Sequence, residues 1–195
     1  PLPTCRAIVF ASLVPDPLDN NCPQAFKDAI LCILNPEDDK IVQYQYKPYA
    51  DIPYTAILDP MEDNLRNRLM MFIGKFSDKA QKNMLAGKTT SPKEQFDEGS
   101  LIKWENKNNS RILRMARELI WVAYNSEKNP EIGYETHHKN FIKAYDAIKV
   151  AEDNLYEVVD RHIKTSETED LETALQTAID DFLCQMPSVF DPFAG

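Results

Sequence analysis

Arg66 and Arg68 straddle Asn67 at the head of an apolar run, Leu69-Met70-Met71-Phe72-Ile73. Each guanidinium is a rigid, permanently charged fork shaped to grip phosphate oxygens. The pair is therefore a candidate nucleic-acid contact. Just upstream, Asp59-Pro60 reads as a helix start, with proline suited to the first helical position and the acid at the positive end of the dipole. A blander reading makes Arg66 and Arg68 part of a solvated helix face, paired with Glu62 and Asp63. Asp59 in the same reading is simply a helix N-cap.

The other residues able to do chemistry point elsewhere or nowhere. Glu135-Thr136-His137-His138 has the Glu-x-x-His spacing of carboxylate-bridged dimetal bundles. Such a site needs a second Glu-x-x-His, and the remaining histidine, His162, has no Glu three residues before it. His137-His138 reads instead as the start of a surface helix, and no metal is expected. The four cysteines (Cys5, Cys22, Cys32, Cys184) show no CxxC spacing, and reduced thiols in the cytosol are the expectation. Five scattered glycines cannot build a phosphate-cradling loop, which needs them clustered. No nucleophile constellation stands out, so neither catalysis nor a cofactor is expected.

The elements that must position these residues follow from periodicity and breakers. Nine of the thirteen prolines fall in the first 60 residues, which predicts an extended, irregular N-terminal part with a short apolar run, RAIVFASL. A first helix is expected over 25–34, stopped by Asn35-Pro36. Alternation over 41–46 suits a short strand with 54–58 as its partner. A second helix spans 60–85, interrupted or weakened at Gly74, and 86–109 reads as a long mobile loop. Third, fourth and fifth helices follow over 111–124, 136–164 and 168–186, the last with a possible capping box at Ser166 and Glu169. There is no run of 18 apolar residues and no apolar leader, so no membrane is expected.

Charge is uneven. Residues 145–195 hold twelve acids and three Lys/Arg, which accounts for the whole net charge of −9, while residues 1–144 are neutral. Nucleic-acid binders acting as monomers usually present a basic face. Here affinity for a strand would have to come from many subunits acting together.

Three patterns, VQYQY, YTAILDP and RNR, occur in an order that resembles the rod-shaped plant virus coat proteins of the tobacco mosaic virus (tobamovirus-like) type. IVFASLVPDPL, Cys32, TTSPKEQFD, ARELIWVAYN and GY followed by Phe141 are similar to further segments of that family in the same order, so the resemblance covers roughly residues 6–141. It implies an all-α fold: an antiparallel four-helix bundle over 1–144 with a small β element and an inner loop at about 86–109. The acidic helical extension over 145–195 departs from the family, whose chains end soon after the GY match. The implied function is helical polymerisation around single-stranded viral RNA, in the virion and the host cytoplasm. Arg66 and Arg68 match the family's phosphate-contacting positions. Arg111, Arg114 and Arg117 lie on the helix after the loop, which in the family also supplies RNA-binding groups. Asp59 matches a carboxylate that faces its like across subunits, a repulsion of roughly 1–4 kcal/mol that would store a disassembly signal. The alternative is a cytosolic α-helical protein–protein interaction module without nucleic-acid binding.

Overall fold

The computed structural model describes residues 2–34, 64–159 and 166–188. These are mostly helical, and no strand occurs among them. Seven α-helices are described: α1 (Leu2–Leu13), α2 (Gln24–Ile33), α3 (Leu65–Gly74), α4 (Asp78–Leu85), α5 (Ser110–Lys128), α6 (Tyr134–Val159) and α7 (Ser166–Leu183). Short 3₁₀ turns lie at Pro92–Glu94 and Trp104–Asn108. The strands expected at 41–46 and 54–58 and the residue Asp59 fall outside the described residues.

The long amphipathic helix α5 is the hub. It buries Ile112, Leu119, Trp121 and Val122 almost completely, with Leu119 to Ala123 buried nearly all round, and α1, α2 and α6 pack against it. Phe10 from α1, Phe26 and Ile30 from α2, Phe72 from α3 and Phe141 from α6 join the same cluster. α7 folds back along α6, and its Phe182 reaches the cluster beside Trp121 and Phe141. Tyr145, Ile148 and Met186 pack partly buried against the same cluster. The boundary expected between 144 and 145 falls inside the continuous helix α6.

The N-terminal run departs from the expectation of extended chain: Leu2–Leu13 is a helix. Pro3 lies in its first turn, where a missing N–H costs nothing, and Pro15 falls beyond its end. The break expected at Gly74 is present: α3 ends there and Lys75 is extended. A Cβ at Gly74 would stand 3.0 Å from Ile102 Cγ2, so a larger residue would need that side chain to shift.

That later chain is irregular, but its second half is anchored. The N–H groups of Leu101 and Ile102 donate to the Phe72 and Ile73 carbonyls at 2.8 and 3.0 Å, satisfying carbonyls that the end of α3 leaves open. Phe76 and Phe96 form an isolated antiparallel bridge with stacked rings 5.4 Å apart. Arg6 of α1 donates to the carbonyls of Leu101, Lys103 and Asn106. Below the bridge, Lys75 and Asp97 form a buried ion pair at 3.1 Å. Burial raises the Asp97 carboxyl even though Lys75 opposes that shift.

Candidate functional site

Arg66-Asn67-Arg68 occupies the first turn of α3, as its sequence position requires. Asn64 caps the helix by accepting from the Asn67 N–H at 2.9 Å, and its carbonyl accepts from the Arg68 N–H at 3.0 Å. The cap fixes the turn and leaves Arg66 exposed and Arg68 half-buried. Arg66 grips Asp16 with both arms of its fork, the Nε donating to Oδ1 at 2.9 Å. Asp16 follows the end of α1, and its Oδ1 also accepts from the Leu18 N–H at 3.0 Å. The Arg66 hydrogen bond, then the Leu18 N–H, hold the Asp16 carboxyl below the ordinary carboxylate range. Both partners are about half exposed (49% and 46%), so the pair is open to exchange with another anion.

The arginines of α5 form a second, separate group. Arg111 sits in the first turn, where the helix dipole disfavours a cation. Arg114 lies 6.0 Å from the centre of the Tyr145 ring, and Arg117 Nη1 donates to Tyr145 Oη at 3.4 Å. Lys149 Nζ stands 5.2 Å from the same ring. Tyr145 therefore gathers Arg114, Arg117 and Lys149, whereas Arg66 is engaged by Asp16 on a different element.

Sequence reasoning missed a polar cluster on the inner side of α5. Glu118 is buried; it accepts from Tyr134 Oη at 3.1 Å and pairs with His138 Nδ1 at 2.6 Å, both on α6. Burial, then the Glu118 charge, push the Tyr134 phenol far up. His138 thus meets Glu118 rather than Glu135, which is exposed. No group of three or more metal-ligating side chains occurs among the described residues. The neighbouring His137 is buried with its Nε2 unpartnered, and burial lowers its pKa. One signal for the cluster was present: Glu118 stands among apolar residues in RELIWVA, and Tyr134 and His138 share a helix face at i, i+4. The arrangement is a polar pin between two helices.

With the fold and these groups in view, the class is a mostly helical protein without a membrane-spanning helix among the described residues. Comparison with protein-family models, curated proteins and solved structures gives no match that would narrow this class.

Proposed function

We propose that this chain is a capsid protein that polymerises helically around single-stranded RNA. In this reading the helices form an antiparallel four-helix bundle with a small β element at its outer end. The loop at 86–109 faces the central channel, and Arg66 and Arg68 line the RNA groove. Arg111, Arg114 and Arg117 supply further cations, and Asp59 faces its like across a subunit boundary. The ordered resemblance over residues 6–141 supports the reading.

The observation that carries it furthest is the neighbourhood of α1. This helix is mostly apolar apart from Thr4, Arg6 and Ser12 (LPTCRAIVFASL), and Ile8 and Val9 stay exposed on it. Ala7 and Phe10 are buried, whereas Ile8 is 63% exposed. α1 packs on α3, the helix that opens with Arg66-Asn67-Arg68. An uncovered apolar face beside a pair of guanidiniums is what a subunit needs to bind its like and a phosphate chain together. Each subunit then needs few phosphate contacts, because the array repeats them along the strand.

A second reading, the interaction module, is favoured by one specific observation: Arg66 already holds a carboxylate of its own chain. Electron microscopy of the protein with single-stranded RNA, at mildly acidic and neutral pH, separates the two. Rods or stacked discs with RNA protected in uniform lengths are the expected outcome, with packaging lost in Arg66→Ala/Arg68→Ala. Dispersed particles under every condition would sink the capsid reading. Unchanged packaging in the double variant would sink the assignment of the two arginines.

A further inference from the structure

Helices α5, α6 and α7 line a pocket of about 330 Å³ that opens to the surface. Its apolar lining comes from Ile148 on α6 and from Ile179 and Phe182 on α7, while Leu183 stands 56% exposed beside it. Arg117 and Lys149 line it too, both on exposed positions, and meet at Tyr145. Arg114 approaches the same ring from one turn earlier on α5. No carboxylate among the described residues forms an ion pair with Arg117 or Lys149, and Glu152 is the one acid in the lining. A chain of net charge −9 has thus concentrated three cations around one tyrosine at an apolar pocket. Arg114 and Arg117, three residues apart on α5, repel one another, and Arg117 and Lys149 meet at one ring from two helices, so an anion at that ring offsets the crowding of positive charge.

We propose that this pocket binds a small molecule carrying one anionic group on an apolar body. The apolar body fills the space over Ile148, Ile179 and Phe182, and the anionic group lies between Arg117 and Lys149. The volume is at the small end of ligand pockets, which run from about 300 to 1,000 Å³; this suits a free aryl or short alkyl anion rather than a polymer. The inference shares Arg117 with the capsid reading but does not need it, because the α6 and α7 walls lie beyond the segment that carries that resemblance and the probes report a small anion rather than RNA.

The test uses the full chain and two fluorescent probes, anilinonaphthalene sulfonate and its uncharged parent phenylnaphthylamine. The sulfonate should bind at one site per chain and more tightly than the neutral parent. Arg117→Gln/Lys149→Gln should weaken sulfonate binding roughly tenfold, the effect of losing a charge-assisted hydrogen bond, and leave the parent unchanged. Leu183→Trp places a large ring at the exposed edge and should reduce binding of both. These positions are exposed, so the variants keep the core intact. Equal affinities for the two probes in the parent chain would overturn the proposal. So would a sulfonate affinity unmoved by the double glutamine variant, or probes that still bind in Leu183→Trp.

Discussion

Removing the Phe182 ring should destabilise the whole helical body, not only the last helix. Phe182 is 6% exposed, and its ring centre lies 5.2 Å from Trp121, 6.0 Å from Phe141 and 6.2 Å from Tyr145. Three aromatic neighbours on α5 and α6 therefore lose a packing partner at once in Phe182→Ala. Transfer of the ring alone contributes about 1.5–3 kcal/mol, and the cavity left among rigid aromatic walls brings the cost of such a truncation to about 3–5 kcal/mol. Against a total stability of about 5–15 kcal/mol this is a large fraction. For a chain of this length it corresponds to a fall in Tm of about 6–20 °C. Urea and thermal unfolding followed by tryptophan emission is the assay, because Trp121 is buried at the contact while Trp104 is half exposed. The expected result is one transition at lower temperature, with native emission shifted to the red. A loss below about 1 kcal/mol, or a separate early transition that leaves Trp121 emission untouched, would mean that α7 is an appendage. The core described above would then be wrong at that end.

Four further outcomes follow from the polar contacts. In the Glu118→Gln/Tyr134→Phe cycle, the pin between α5 and α6 should show a coupling of about 0.5–3 kcal/mol by urea unfolding; strict additivity would show that the 3.1 Å contact carries no energy. His137 has a pKa lowered from its ordinary 6.5, so the unfolded chain takes up this proton before the folded one does. Its contribution is therefore complete above pH 6.5 and lost as pH falls through the folded value; His137→Gln should lose less stability than the parent on acidification, and parallel pH profiles would refute this. Removing one member of the buried Lys75–Asp97 pair should cost about 3–5 kcal/mol, whereas Lys75→Met/Asp97→Leu should come close to neutral, both read by urea midpoints. Finally, Asp16→Asn removes the charge that competes for Arg66, so filter binding should report tighter and more salt-sensitive RNA association; unchanged binding would exclude Arg66 from the phosphate contact.

Apolar periodicity is a local property, and what it governs was legible. α2 and α5 lie where their stripes put them, Gly74 ends α3, and Leu171, Leu175, Ile179 and Phe182 of α7 follow the expected face. α1 is hidden in the sequence because a proline count carries no information on helical position. A proline in a first turn is no breaker, and RAIVFASL shows neither alternation nor a single apolar face to declare itself. Polar roles were far less legible because each depends on a partner distant in sequence. Arg6 organises carbonyls about a hundred residues away, and it gives the later part of 86–109 an order that no local signal contains. Glu118 looks like a lone charge on a helix until the next helix brings Tyr134 and His138 to it.

Arg66 makes the same point most sharply. Sequence offered phosphate or the nearby Glu62 and Asp63 as its partner, and the fold supplies Asp16, fifty residues earlier. That partner does not cancel the phosphate proposal. A carboxylate and a phosphate present similar oxygen pairs to a guanidinium fork, and a half-exposed pair exchanges one for the other without opening the core. What the Asp16 pairing changes is the form of the interaction. In the proposed capsid, RNA would compete with an acid of the protein itself, so a single subunit should bind weakly and an array, which repeats the exchange along the strand, should bind well.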